Sequence, residues 1–365
     1  MHLGLLLYGS LDTLSGGYLY DRKLVEYLRK QGDEVEIISI PWRNYASHLT
    51  DNFNPALYRR LKNFQGDILL QDELNHPSLF LLNRLLIRNT KYAILSLVHH
   101  LRASEQHPAW LMPLYRAVER AYLRTLDGCV FNSWTTKRAV EALMGRAADR
   151  CVVAPPGGDR FAIPMGDADI VRRAKESGPL RLLFVGNVIP RKGLHVIFEA
   201  LSHLRKETWE LHIVGELRVA RDYMTRLRKD VIQKNWEDRV FFYGALEDGQ
   251  VAEWMAKSHL LVMPSSYEGF GIAYLEGMGF GLPALATTSG AAGEIITDGE
   301  NGFLIAPGDA RALAETLRWL HEDRNQLAEM SLAARKRYEA YPGWEASMAG
   351  IRDFLRLPKF DEENP

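Results

Sequence analysis

A repeated alternation constrains this chain more than any other feature. Short apolar runs bounded by glycine, proline or polar turns take turns with amphipathic stretches of helical period. In the first half the runs are 2–9, 34–40, 67–71, 92–98, 128–133 and 150–155. In the second they are 180–186, 209–215, 239–244, 259–265, 283–288 and 302–307. Strands covered on both faces read as such near-continuous apolar runs. Between them, 17–30 carries Leu19, Leu24 and Leu28 among charged residues and stops at Gly32, and 108–126 and 135–144 have the same helical pattern. Strands alternating with helices predict parallel α/β sheets. Two such series predict two Rossmann-like domains, 1–160 and 161–342, with the hinge running from Pro155–Gly158 through a polar stretch to Gly178. After residue 309 the pattern is mostly helical. Ligands of open α/β sheets sit at the carboxyl ends of the strands, so the loops facing the expected cleft are where chemistry belongs.

Composition removes several function classes. With 47% hydrophobic and 25% charged residues, the chain is not disordered, collagen-like or a disulfide-stapled miniprotein. Its two cysteines, Cys129 and Cys151, fall in apolar runs and read as core residues in a reducing, cytoplasmic setting. The opening Met-His-Leu-Gly-Leu-Leu-Leu-Tyr-Gly-Ser is apolar for about one strand and lacks a basic flank, so no signal peptide is expected. No apolar run reaches the roughly 18–20 residues that span a bilayer. A formal net charge of −1 argues against a general nucleic-acid binder.

Charge is nonetheless uneven. Residues 1–160 hold 20 basic and 16 acidic side chains, and the remainder 25 and 30. The excess is concentrated in Arg59, Arg60 and Lys62; Arg84, Arg88 and Lys91; and Arg116, Arg120 and Arg124. Two readings stand: solvated helix faces, or peripheral contact of the N-terminal domain with an anionic membrane. For the second, Leu81, Leu82, Leu85 and Leu86 alternate with Arg84 and Arg88 as on a helix lying among headgroups. Trp110, Tyr115 and Tyr122 share a helical face and read as packing.

The most informative stretch runs from Pro264 to Pro283. A strand ends at Pro264, a glycine-bearing turn follows, and a helix begins near Gly271. The N–H groups of Phe270, Gly271 and Ile272 then form a seat for a phosphate. Glu268 precedes this helix and Glu276 falls within its second turn. Two acids beside a phosphate would repel it, so neutral hydroxyls of a sugar and a ribose are their natural partners. An isolated pair at this spacing would read as a dipole contact and a surface ion pair. Arg191 and Lys192 follow another strand of the same domain, at a helix start where the dipole disfavours a cation unless an anion is its partner. His99 and His100 end the run at 92–98, and Gly16-Gly17 follows the first run. Neither a further His or Cys at ligand spacing nor an Asp-x-Asp-like acidic pair follows a strand in place, so no metal site is expected.

The ordered set of motifs resembles the retaining glycosyltransferases of family 4, which have the GT-B fold. Glu268 and Glu276 are similar to the family's E-x7-E pair, and 184–193, ending Arg191-Lys192-Gly193, to its phosphate-binding segment. Residues 289–309, Gly16-Gly17 with 28–35, and Gly343-Trp344-Glu345 match further family segments, so the resemblance covers nearly the whole chain. It implies two Rossmann-like domains facing a cleft, with a helix at about 343–358 crossing back to the first. It implies a nucleotide-diphosphate sugar as co-substrate, with Lys192 and Arg191 on the diphosphate, Glu268 on the sugar, Glu276 on the ribose and His99 on the donor sugar. Asn187 stands where the family usually has Arg, which puts that diphosphate contact in question. The implied reaction is metal-independent front-face transfer of a hexose from a UDP- or GDP-sugar to a hydroxyl of a glycan, lipid or small molecule. Two other classes remain open. One is an inverting GT-B transferase or a sugar-nucleotide epimerase, in which His99 would be the base. The other is a non-catalytic two-lobed sugar-binding protein.

Overall fold

The computed structural model describes residues 1–357, in two compact units. The first unit comprises Met1–Pro156 with the chain from Trp344 onward, and the second Gly157–Gly343. The first contains β1 (His2–Tyr8), β2 (Glu34–Ile40), β3 (Ile68–Asp72), β4 (Ala93–Val98), β5 (Gly128–Phe131) and β6 (Cys151–Val153). The second contains β7 (Leu180–Val185), β8 (Trp209–Val214), β9 (Val240–Gly244), β10 (Leu260–Val262), β11 (Ala284–Thr287) and β12 (Gly302–Ile305). Every strand falls within or at the edge of a run expected from the sequence. Each unit is one all-parallel sheet.

The strand orders differ, and that difference locates the sites. The first sheet runs β2-β1-β3-β4-β5-β6 and the second β12-β11-β10-β7-β8-β9. These are the two common doubly wound orders. In the first, strand order reverses between β1 and β3; in the second, between β7 and β10. Loops leaving adjacent strands diverge at such a reversal and open a crevice for a ligand.

Helices cover both sheets. Gly16–Lys30 is capped by Ser15, whose side chain accepts from the Tyr18 N–H, and buries Leu19, Leu24 and Leu28 as the sequence pattern predicts. Helix 108–126 is shorter than its pattern. It forms over Met112–Leu123, and Trp110 lies outside it, 77% exposed, while Tyr115 and Tyr122 are buried. Trp110 is therefore not a packing residue. The helix Trp344–Leu355 belongs to the first unit. Its Trp344 ring lies 5.9 Å from Tyr20, and Arg352 Nε donates to Asp33 Oδ2 at 2.6 Å. The end expected at 358 lies outside the described residues. Cys129 is buried, and Cys151 is only partly so.

The leucines at 81–86 do not form one outward face. Leu82 and Leu86 are buried in the first core, which leaves Leu85 exposed and Leu81 half-buried. At about 100° per residue, neighbouring leucines cannot all point the same way. The nine basic residues named above are all exposed.

Candidate functional site

In the second unit, the loops after β7, β10 and β11 close on one another. Arg191 and Lys192 stand in a short turn, Pro190–Lys192, beyond β7. The Arg191 carbonyl accepts from the Ser266 N–H at 2.8 Å, which ties that turn to the loop after β10. Gly193 makes the approach possible: its φ is +77°, and a Cβ there would lie 2.2 Å from the Pro264 carbonyl oxygen. Gly290, in the loop after β11, has φ +87°, and its Cβ would lie 2.0 Å from the Glu268 carbonyl oxygen. The Ala291 N–H donates to that same oxygen at 2.9 Å. Glu268 is thus gripped through its backbone by one neighbouring loop while its side chain meets another.

That side chain is buried, 9% exposed. Lys192 Nζ donates to Glu268 Oε1 at 2.5 Å, and Ser265 Oγ donates to the same oxygen at 2.6 Å. Arg191 Nη1 lies 3.8 Å from Oε2 and donates to the Tyr267 carbonyl at 2.6 Å. Burial alone would raise the Glu268 carboxyl, but Lys192 and Arg191 outweigh it and hold it at about 2. Glu268 is therefore an ionised acceptor at neutral pH. Burial pushes Lys192 down, against the pull of Glu268. An ammonium has three donors, so Lys192 can serve Glu268 and an incoming anion together. Ser265 lies three residues before Glu268, and no local sequence pattern marks it as that carboxylate's partner.

Glu276 belongs to a separate cluster. It lies on the helix Ile272–Gly279, 3% exposed, with Arg160 Nη1 at 3.5 Å from its Oε1. Burial pushes its carboxyl up to about 7, against the pull of Arg160. Gly271 begins this helix in a left-handed conformation. Phe270 is buried and Ile272 half-buried, and their backbone groups open the helix where N–H donors lack intrahelical partners. The Asn187 carbonyl, just beyond β7, accepts from the Ile189 N–H at 2.9 Å.

In the first unit, the residues at the reversal between β1 and β3 are largely acidic. Gly16 and Gly17 open the helix after β1, and Gly17 lies against the His99 ring, where a Cβ would be 3.3 Å from Cδ2. His99 follows β4, and its Nε2 is 3.1 Å from Oδ1 of the buried Asp21. Burial works against charge on this ring, but Asp21 outweighs it and raises the imidazole to about 9. Asp72 ends β3 and Glu73 follows it, and burial raises each to about 7. Ligand atoms of Asp21, Asp72 and His99 lie within 4.8 Å of one another, as do those of Glu73, His76 and Glu119. The expectation of no metal site rests on spacing along the chain, and these residues converge only in three dimensions. In this structure the His99 Nε2 is taken by Asp21, and His76 is occupied on both sides, by Tyr45 and by the Glu73 carbonyl. His100 pairs with Glu105 at 3.0 Å.

Comparison with known proteins accounts for both units. Residues 167–337 match the family model described as glycosyl transferases group 1, and residues 20–160 match that of glycosyltransferase family 4. The chain is 25% identical over 314 residues to a glycogen synthase of Mycobacterium tuberculosis, covering 84% of this chain and 74% of that protein. Sucrose-phosphate synthase from Thermosynechococcus elongatus has a similar fold, with TM-score 0.81, 20% identity and coverage of 97% and 98% of the two chains. HepE of Anabaena, solved in complex with UDP and glucose, gives TM-score 0.75 at 19% identity over 97% of this chain and 98% of that one.

Proposed function

The chain belongs to the group 1, family 4 glycosyltransferases, and from that premise we propose that it transfers a hexose from a UDP- or GDP-sugar to a hydroxyl acceptor with retention of configuration. The observation that carries this reading is Glu268: a buried carboxylate kept ionised by Lys192, Arg191 and Ser265 at the β7/β10 reversal. A buried charge is costly unless it is paired, and here the pairing groups are themselves phosphate binders.

Lys192 and Arg191 meet the diphosphate, with the N–H groups of Phe270, Gly271 and Ile272 as further donors and the Asn187 segment alongside. Glu268 accepts hydrogen bonds from donor-sugar hydroxyls, and Glu276 accepts them from the ribose diol. In this reading the first unit holds the acceptor, and Gly16 and Gly17 offer a backbone that a sugar or phosphate can approach closely. As the bond from the anomeric carbon to the phosphate oxygen breaks, charge grows on the diphosphate, where fixed cations stabilise it most. The acceptor oxygen bonds to the same face of that carbon, and its proton passes to the departing phosphate oxygen. Glu268, already committed to Lys192 and Ser265, is not the nucleophile. No metal bridge between the phosphates is required, because Lys192 and Arg191 carry that charge.

His99 is a donor in this scheme. A ring held in its protonated form by Asp21 has no lone pair with which to take a proton, which argues against its use as the base of an inverting transferase. The reading is tested by incubating the protein with UDP- and GDP-sugars and measuring nucleoside diphosphate release. Release with a given donor, lost in Glu268→Gln, supports it; binding without release indicates a sugar-binding protein instead.

A lipid surface is the second partner. No helix among the described residues is long and apolar enough to cross a membrane. The first unit exposes Trp42, Phe53, Leu85, Ile87 and Trp110 as well as the nine basic residues of the three clusters. Exposed apolar and basic side chains on one unit are the two attractions an anionic headgroup layer offers. The place of action is then the cytoplasmic face of the membrane. Flotation with anionic but not neutral liposomes, weakened by salt, is the expected result; equal binding to both would leave a charged surface without a lipid partner.

A further inference from the structure

Glu276 has one cationic partner among the described residues, and that partner is shared. Arg160 enters at the start of the second unit and stacks over the Phe161 ring, its guanidinium carbon 4.6 Å from the ring centroid. Its Nε donates to Asp248 Oδ2 at 3.1 Å, and its Nη2 bonds the other oxygen of the same carboxylate. Only Nη1 reaches Glu276, at 3.5 Å. Asp248 opens the helix Asp248–Lys257, which follows the loop after β9, so the fork spans two elements at the same end of the sheet. Arg160 thus sits between a nearer carboxylate, 63% exposed, and a more distant one that is buried.

We propose that Arg160 and Asp248 form a charge clamp that sets the ionisation and placement of Glu276, making Arg160 a positioning residue for nucleotide recognition. The inference rests on the assignment of Glu276 to the ribose. A diol is held most strongly by an ionised acceptor, since charge-assisted hydrogen bonds are about twice as strong as neutral ones. Burial opposes that ionised form, and Arg160 restores part of it. Asp248 acts in the opposite sense twice, by its own negative charge and by drawing Arg160 away. On the helix Arg324–Glu339, which packs against this one, Tyr338 faces Glu276 together with Asp159 and Glu339, and Arg335 is committed to the Gly279 and Met165 carbonyls and to Glu339.

The clamp makes nucleotide affinity depend on pH near neutrality, with opposite effects from its two halves. Below the Glu276 midpoint, affinity should fall about tenfold per pH unit, because a proton competes with the diol. Arg160→Gln should move that midpoint up by about one unit or more. Affinity for UDP at pH 7 should then fall roughly tenfold and recover at higher pH. Asp248→Asn should move the midpoint down, and Arg160→Lys should keep it near that of the unmodified protein.

Two readouts test this: calorimetry of UDP, with GDP in parallel, from pH 5.5 to 9, and the carboxyl 13C shift of Glu276 in the free protein, assigned with Glu276→Gln. Opposite midpoint shifts for Arg160→Gln and Asp248→Asn support the clamp. An unmoved midpoint in Arg160→Gln, or an upward shift in both variants, overturns it. Glu276→Gln that binds UDP and GDP like the unmodified protein overturns the ribose assignment instead, and the 13C titration still decides the clamp.

Discussion

Replacing Lys192 by methionine keeps most of the side-chain volume and removes the charge. Lys192 and Glu268 are 16% and 9% exposed, so solvent screens their interaction little. The shift of Glu268 from 4.5 to about 2 corresponds to about 3 kcal/mol in favour of its ionised form, at 1.36 kcal/mol per unit. Without Lys192 the nearest cation is Arg191 at 3.8 Å, and burial then dominates the carboxyl. Breaking a buried pair typically costs about 3–5 kcal/mol, because an uncompensated charge remains. Stability at pH 7 should fall by that order. A depressed carboxyl contributes stability above its unfolded value, so the difference between the two proteins should narrow as pH falls below 4.5 toward 2. Turnover should fall on the order of 10²–10³, the usual effect of removing one group that meets developing charge. Urea unfolding at pH 7 and pH 4, with transfer rates on the folded fraction, measures both effects. Glu268→Gln completes a double-mutant cycle, in which the double variant should lose less than the sum of the single losses. Additive losses, or a Lys192→Met variant with near-normal stability and turnover, would refute the pairing.

Glu276→Gln should weaken binding of free nucleoside diphosphate, whereas Glu268→Gln should lower turnover more than nucleotide affinity; calorimetry that finds equal effects would contradict the division of roles. Gly290→Ala combines a left-handed backbone with a Cβ 2.0 Å from a carbonyl oxygen, so it should cost more than the roughly 1–2 kcal/mol of the conformation alone and should cut turnover by displacing Glu268; an unchanged melting temperature would count against the grip. Burial raises Asp72 to about 7, so its ionisation opposes folding as pH rises through that value. Asp72→Asn should therefore raise the melting temperature more at pH 8 than at pH 5, and the reverse order would show that the carboxylate is stabilised by something else.

Strands were legible in the sequence because sheets covered on both faces leave uninterrupted apolar runs, such as 92–98 and 180–186. Helix edges were less so: 108–126 has helical spacing throughout, yet the chain enters the helix only at Met112, and Trp110 stays in solvent. Candidate site residues of the second unit could be named because Arg191-Lys192-Gly193 and Glu268-x7-Glu276 are local patterns. Their partners could not. Lys192 and Glu268 are 76 positions apart, Asp21 and His99 78, and Arg160 and Glu276 116. The first pairing comes from sheet topology, which brings the ends of β7 and β10 side by side. Gly193 and Gly290 were visible only as motif letters; their reason is a carbonyl oxygen about 2 Å from where a side chain would begin.

The most direct test of the account is the configuration of the sugar as it leaves the donor. Proton NMR of the protein with an α-linked donor that it turns over, UDP-glucose or GDP-mannose, reports the anomeric proton of transferred or released sugar before mutarotation. The α signal should appear first, in step with nucleoside diphosphate, and should be absent with Lys192→Met. A β signal appearing first would contradict front-face transfer and return His99 to consideration as a base.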